Sequence, residues 1–263
     1  MSLSNELDRE KEKFAGFVLL REPKWSKTRF VADLREEWGI DLSEALGSDD
    51  ALPNEDSIVY ADYNGMRVIT GLVDAPVPAR EAEHFAMANY MWKDAVSETE
   101  KHTAHLILTV MGDGSPMEKA QLYTKAASAA LKQSSVLGFY SSGAVYEPKM
   151  FRECAEIMRS DGFPIMNVVW FGLFNDGNRA GVYTYGMRQF GKEEIEVYVP
   201  HGKADLNGLR QFVFGTALYV LNENVTLKDG ETIGFSPEQK LPITISPALA
   251  FSGNSVKIDV LAK

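Results

Sequence analysis

The stretch Ile58-Val-Tyr-Ala-Asp-Tyr-Asn-Gly-Met-Arg-Val-Ile-Thr-Gly-Leu-Val73 is the clearest structural signal in this chain of 263 residues. Two runs rich in β-branched and aromatic residues flank Asn64-Gly65. This pair suits a two-residue type I′ turn, because both central residues of that turn need a positive φ. The stretch therefore predicts a β-hairpin with strands at 58–63 and 66–73.

The elements on either side of this hairpin complete a recognisable order. Phe17–Leu20 reads as a buried strand, and Ser26 can cap a helix after it. Beyond the hairpin, residues 80–92 show helical spacing of apolar residues, and His105–Met111 reads as a strand. Strand, helix, two strands, helix and strand make the βαββαβ pattern of a ferredoxin-like unit over residues 14–112.

The same order of elements is predicted a second time along the chain. Ser115-Pro-Met-Glu118 is a helix start, and it opens a linking helix within 113–135. The second half, 136–263, has a predicted strand at 136–140, a helix from Pro148, a hairpin of 166–174 and 180–185, a strand at 194–199, a helix at 205–222, a strand near 231–235 and a C-terminal edge pair at 242–245 and 256–261. We therefore predict an α+β fold of two tandem ferredoxin-like units that form one compact body.

Composition excludes several functional classes. The chain has 27 Lys+Arg against 37 Asp+Glu, a net charge of −10, which opposes binding to nucleic acid. Its single cysteine, Cys154, excludes a disulfide framework and falls on an apolar helix face, where we expect a buried structural thiol. No apolar stretch is long enough to span a bilayer, and the charged first residues do not resemble a secretion signal, so we expect a cytoplasmic protein.

Four stretches of the chain resemble a known family. They are Trp25–Gly39, His102–Leu108, Pro148–Glu153 and Gly186–Glu196. Together they are similar to an uncharacterised bacterial family catalogued as domain of unknown function 4261. The resemblance implies no established activity, cofactor or catalytic residue.

The Gly186–Glu196 segment holds most of the candidate binding residues. Two glycines bracket Arg188 and Phe190, and Glu194 and Glu196 project on one face of the strand that follows. Paired carboxylates can bind a divalent cation or act as acid and base, and Arg188 could clamp an anion. A bent edge strand with a solvated acidic face explains the same residues.

His105 is a further candidate, together with its neighbour His102. Spacing of three would place both on one face of a helix, where they could ligate a metal. At the start of a strand, this spacing sends the two side chains to opposite faces. The simpler interpretation is a solvent-facing His102 and a hydrogen-bonded His105 within the sheet.

These patterns favour a non-enzymatic binding module over an enzyme. The residues indicate no metal or cofactor site, and the acidity favours a basic protein partner. The alternative is an enzyme or cofactor carrier with its site in a cleft between the two halves. Tandem ferredoxin-like barrels of the chlorite-dismutase type hold haem in this way, but the second half offers only His201, which is poorly placed for an axial ligand. The sequence leaves the oligomeric state open.

Overall fold

A computed structural model of the chain describes residues 13–46, 58–203, 205–236 and 238–262. The charged first residues lie outside these ranges, and so do residues 47–57 of the acidic stretch 41–57, which the sequence predicts to be a solvated loop. Within them the protein is α+β, with seven α-helices and two six-stranded sheets, one antiparallel and one mixed. The chain divides into two compact units, of which one ends at Val168 and the other begins at Val169. None of the described helices combines the length and apolarity needed to cross a membrane.

The first unit contains the antiparallel sheet, in the order β2-β3-β4-β1-β5-β6. Its elements are β1 (Lys13–Leu20), α1 (Lys27–Trp38), β2 (Val59–Tyr63), β3 (Met66–Val73), α2 (Glu81–Ala86), α3 (Ala95–Thr99), β4 (Ala104–Gly112), α4 (Pro116–Ala130), β5 (Val136–Ser141), β6 (Ala144–Tyr146), α5 (Pro148–Ala155) and α6 (Ile165–Val168). The predicted hairpin is confirmed: Tyr63 pairs with Met66, and Asn64 and Gly65 have φ of 50° and 77°.

The strand order does not show the predicted ferredoxin-like arrangement. In that arrangement the first strand lies between the third and the fourth. Here β4 lies between β3 and β1, antiparallel to both. The helix predicted over 80–92 is replaced by the two short helices α2 and α3, and the chain returns beside β3 rather than crossing the sheet. Apolar spacing identified the strands, but their pairing depends on contacts that spacing does not encode.

The first unit also extends further along the chain than the predicted first half. Strand β5 pairs with β1, with Tyr140 opposite Phe17, so it belongs to the first sheet rather than opening the second half. Helix α4 packs against β1 and β4 and is mostly buried, so it is part of this core and not an isolated link. Its predicted start is confirmed as a capping box between Ser115 and Glu118.

The two faces of the first sheet differ in how they are covered. On one face, Phe14, Val18 and Phe139 are fully buried, and Phe14 and Phe139 contact Tyr123 of α4. On the other face, away from α4, large apolar side chains remain exposed: Ile58, Tyr60, Ile107 and Met111. This face is therefore apolar and partly bare.

The second unit contains the mixed sheet, in the order β10-β11-β12-β9-β8-β7. Its elements are β7 (Trp170–Asn175), β8 (Arg179–Tyr185), β9 (Ile195–Pro200), α7 (Leu206–Asn222), β10 (Thr232–Ile233), β11 (Leu241–Pro247) and β12 (Asn254–Ile258). The predicted hairpin of β7 and β8 is confirmed. The predicted C-terminal edge pair is corrected, because β12 is an interior strand that runs parallel to β9.

Helix α7 covers this sheet with one face only. It packs against β7, β8 and β9 through buried residues such as Val213 and Ala217. Apolar residues lie nearly all round this helix in the sequence, a pattern that is typical of a deeply buried helix. In the structure, however, Tyr219 is 45% exposed. The helix therefore buries one face only, and apolar residues remain on its outer face.

Candidate functional site

A tight turn connects β8 to β9 and carries Arg188. We call residues 186–191 the arginine turn. Met187–Phe190 form a 3-10 helix between Gly186 and Gly191, whose φ values are 124° and 68°. Residues other than glycine rarely adopt these φ values, so the two glycines allow the chain to turn at both ends of the short helix. The glycines bracketing Arg188 in the sequence therefore have a backbone role.

Glu194 holds the backbone of the arginine turn in place. Its side chain is 2% exposed and accepts hydrogen bonds from Thr184 Oγ1 at 2.7 Å, Gly186 N at 2.8 Å and Arg188 N at 3.3 Å. Burial raises the pKa of Glu194 above its ordinary value, although these hydrogen bonds act in the opposite direction. The interpretation as a solvated acidic face is therefore wrong for Glu194.

Glu196 fixes a second segment, residues 248–253, which we call the Leu249 loop. The carboxylate is 3% exposed and accepts from Leu249 N at 2.9 Å, Ala250 N at 3.0 Å and Ser255 Oγ at 2.9 Å. Lys257 Nζ lies 3.8 Å from it, within ion-pair distance. Glu196 is thus also buried rather than solvated. The two glutamates hold two different segments, and their oxygens are occupied by these donors.

The guanidinium of Arg188 lies between the two segments that the glutamates hold. Its Nη2 donates to Asn254 O at 3.3 Å, and its carbon lies 5.7 Å from the ring centroid of Phe251. A Cβ added at Gly253 would lie 2.6 Å from Nη2, so the guanidinium packs directly on this glycine. The arginine is therefore confined by backbone and ring on the side of the Leu249 loop.

The guanidinium of Arg188 is not paired with an acidic side chain in the described ranges of the chain. No carboxylate oxygen there lies within 4.0 Å of its nitrogens. The hydrogen bond to Glu194 comes from the backbone of Arg188, not from its guanidinium. Its Nε is buried and has no hydrogen-bond partner there. Tyr185, which is 36% exposed, contacts Phe251 with ring centroids 6.1 Å apart. The site is a fixed cation next to aromatic surface.

The other predicted residues lie elsewhere. Phe190 is 7% exposed and contributes to packing below the turn. His105 belongs to the first unit, on β4, where its Nδ1 bonds to Ala75 O at 2.7 Å. Burial lowers the pKa of His105, with this hydrogen bond opposing the change. His201 is exposed just after β9. The structure thus brings together Arg188, Glu194 and Glu196 but not the histidines.

His102 differs from the sequence interpretation. It is 5% exposed rather than solvent-facing, and Val77 N donates to its Nε2 at 2.9 Å. In the part of the chain that the structure describes, no group of three or more His, Cys, Asp or Glu side chains is arranged to hold a metal ion. Cys154 is half-buried, and burial raises the pKa of its thiol, which lowers its reactivity at neutral pH.

The sequence did not indicate the Leu249 loop as part of the site. Phe251 and Gly253 lie more than sixty positions after Arg188, and only the pairing of β12 with β9 brings them beside it. Gly253, with φ of 103°, was the available local signal, since glycine before asparagine marks a turn. That signal shows where a turn is, but not what the turn touches.

These features define a class: an α+β protein whose mixed sheet carries an arginine fixed by two buried glutamates. Residues 183–259 match the model of a family described as Domain of unknown function (DUF4261). The predicted resemblance is confirmed for this part of the chain, and of the four stretches Gly186–Glu196 lies inside it. The match runs from β8 to the end of β12 and so includes the arginine turn and the Leu249 loop. No curated protein matches the chain, and neither does any solved structure.

Proposed function

We propose that this chain is a non-enzymatic binding module and that Arg188 receives a carboxylate group of its ligand or partner. The observation that carries this proposal is the guanidinium itself. It is half-buried, fixed against Phe251 and Asn254 O, and not paired with an acidic side chain in the described residues. A guanidinium offers several N–H donors in one plane, which match the two oxygens of a carboxylate.

The two glutamates support a binding role through their positions. Glu194 holds the backbone of Arg188, and Glu196 holds the loop that carries Phe251. Each therefore fixes one of the two segments between which the guanidinium lies. A cation that is already ordered loses little conformational entropy on binding, which favours affinity. Since the carboxylate oxygens of both glutamates accept hydrogen bonds within the fold, we assign them positioning roles rather than acid–base roles.

The surroundings of Arg188 favour a carboxylate that is attached to an apolar group. One arginine supplies a single positive charge, which suits a carboxylate better than a doubly charged phosphate. Phe251 and the exposed part of Tyr185 offer aromatic surface beside the charge. A small organic acid and the C-terminus of a partner protein both have this chemistry. We propose that one of them is the ligand.

The net charge of −10 does not prevent such binding. At physiological ionic strength the Debye length is about 8 Å, so distant surface charges are largely screened at the site. The charges next to Arg188 decide the local potential. Glu196 lies within ion-pair distance of Lys257, whose positive charge offsets the charge of this carboxylate beside the site. The overall acidity still favours basic surface elsewhere on a protein partner.

A titration of the full chain, followed by NMR of the Arg188 Nε–H resonance, tests the proposal. The probes are phenylacetate, its uncharged match phenylacetamide, inorganic phosphate, and N-acetyl-leucyl-phenylalanine with a free or an amidated C-terminus. We expect both carboxylates to shift this resonance and both amides to leave it unchanged. Tighter binding of the peptide than of phenylacetate identifies a protein C-terminus as the source, and the reverse order identifies a small acid. Phosphate binding tighter than either carboxylate, or no response to any probe, contradicts the proposal.

Two pairs of variants control this titration. In Arg188→Met the Nε–H resonance is lost, so binding to the variants is followed at the backbone amides of Phe251 and Gly253, which pack against the guanidinium. Arg188→Met should abolish binding, whereas Arg179→Met should not, because Arg179 is already paired with Asp176 at 2.7 Å. Gly253→Ala should weaken binding by displacing the guanidinium. Gly230→Ala is its match, with a positive φ of 79° but nothing within 4 Å of the added Cβ. Equal effects of the two glycine variants would show that backbone strain, and not the position of Arg188, is responsible.

A further inference from the structure

The segment between β3 and β4 covers one end of the exposed face of the first sheet. We call residues 74–99 the strap. Its buried residues Val77, Ala82, Ala86 and Ala95 form one apolar cluster with Leu19, Leu137, Tyr140 and Val145, and the partly buried Phe85 and Trp92 pack against it. The strap is therefore held to the sheet by apolar contact along its length.

His102, just after the strap, connects both of its ends. Its Nε2 accepts a hydrogen bond from Val77 N at 2.9 Å, near the beginning of the strap, and its Nδ1 bonds to Thr99 O, at its end. Because a carbonyl oxygen only accepts, Nδ1 must carry the hydrogen, and Nε2 must be bare to accept from the Val77 amide. Only the neutral ring in this one tautomer makes both bonds.

His105 holds the same region from β4. Its Nδ1 donates to Ala75 O at 2.7 Å, two residues before Val77, and its ring lies edge-on to Phe17 at 5.4 Å. The Nδ1–H of a histidine can donate in either protonation state, so this bond does not depend on a neutral ring. His105 is thus an anchor, whereas the two bonds of His102 depend on protonation.

We propose that the strap is a pH-releasable cover, opened when a proton binds Nε2 of His102. A proton on Nε2 would place its N–H against the N–H of Val77, so that two donors face each other. It would also put a positive charge on a ring that is only 5% exposed. Opening the strap removes both penalties. This proposal concerns the first unit and is independent of Arg188.

The charged groups around His102 do not offer the protonated ring a carboxylate partner in the described structure, since both ring nitrogens already face backbone atoms. The titratable and charged groups on the elements packed around it are Asp74, Arg80, Glu81, Glu83, His84, Lys93 and Asp94 on the strap, Glu98, Glu100 and Lys101 at the end of α3, Arg21 after β1 and His105 on β4. Three of these acids are engaged in ion pairs: Glu98 with Lys101 at 2.6 Å, Glu100 with Arg80 at 3.2 Å and Glu83 with Arg80 at 3.5 Å.

Release of the strap would enlarge the bare face of the sheet. The row of residues under the strap includes Leu19, His105 and Gly138, which are neighbours across β1, β4 and β5. Two residues further along β4 lies Ile107, already 36% exposed. The covered and the bare parts therefore belong to one continuous apolar surface, and protonation of His102 would set how much of it is accessible.

Hydrogen exchange of the Val77 amide in the full chain tests the proposal. After correction for the intrinsic rate, we expect about tenfold less protection at about pH 5.5 than at about pH 7.5, because a proton on Nε2 removes the acceptor of the Val77 amide and favours the open strap. His102→Gln cannot take up a proton and should lose this pH response. His84→Gln is the matched control, since His84 is exposed on the strap, and it should keep the response.

Two results would overturn the proposal. One is equal corrected protection of Val77 at both pH values in the wild-type chain. The other is a pH response that persists in His102→Gln. If that variant does not fold, the imidazole nitrogen shifts of His102 in the wild-type chain decide the matter: the proposal requires the neutral tautomer with hydrogen on Nδ1 at about pH 7.5, and any other form contradicts it.

Discussion

Replacing Glu196 with alanine should destabilise the second unit strongly. The buried carboxylate accepts from Leu249 N, Ala250 N and Ser255 Oγ and lies 3.8 Å from Lys257 Nζ. A hydrogen bond to a charged group contributes about 1.5–3 kcal/mol, and the contributions of neighbouring bonds are not additive. Removal of one partner of a buried ion pair costs about 3–5 kcal/mol, because the other charge is left behind. We therefore expect a loss of about 3–5 kcal/mol in the free energy of unfolding.

Hydrogen exchange of the β9 amides measures this loss, because the most protected amides of a unit report its full unfolding. Glu193→Ala is the matched control: Glu193 lies three positions before Glu196, is half-buried, and has no hydrogen bond or ion pair in the described ranges. It should change the free energy by about 0.5 kcal/mol or less. A loss below about 1 kcal/mol for Glu196→Ala would refute the reasoning, since the buried donors would then have found other acceptors.

Two further predictions concern stability. Gly16→Ala would place its Cβ 2.3 Å from the hydroxyl of the fully buried Tyr123, and we expect a loss of about 1–3 kcal/mol in urea unfolding; Gly71→Ala, with nothing within 4 Å, should have little effect, and equal losses would contradict the steric argument. Because burial raises the pKa of Glu194, the folded state holds this proton more tightly than the unfolded chain, whose value is about 4.3. The free energy of unfolding of the wild type, relative to that of Glu194→Gln, should therefore be greatest below about pH 4. It should fall as the pH rises through the pKa that Glu194 has in the folded state, and a relative stability that grows with pH would contradict this prediction.

The sequence predicted most elements whose signals are local. Asn64-Gly65 indicated the first hairpin, and Ser115 with Glu118 indicated the start of α4. Both depend on the conformations of neighbouring residues, so a few letters of sequence are sufficient. The wrong predictions concern partners. Strand β5 was assigned to the second half, although it pairs with β1 over a separation of more than a hundred residues.

For the candidate site, too, the sequence predicted the local features but not the long-range contacts. Arg188 and Glu194 could be singled out together, because they lie only six positions apart in the sequence. The burial of the glutamates could not be predicted, since alternating charged and apolar residues fit a half-exposed strand equally well. Glu194 is enclosed by the arginine turn, and Glu196 by the Leu249 loop, which the parallel pairing of β12 with β9 brings beside the turn.

The sequence by itself determined the α+β class, the hairpins and helix ends, and the segment that carries Arg188. The tertiary structure alone decided the strand order, the division after Val168 and the partners of the buried acids and histidines. The physical reason is the range of the interactions. Turn conformation and capping depend on residues within four or five positions, whereas strand pairing and burial depend on surfaces that meet only after the chain has folded.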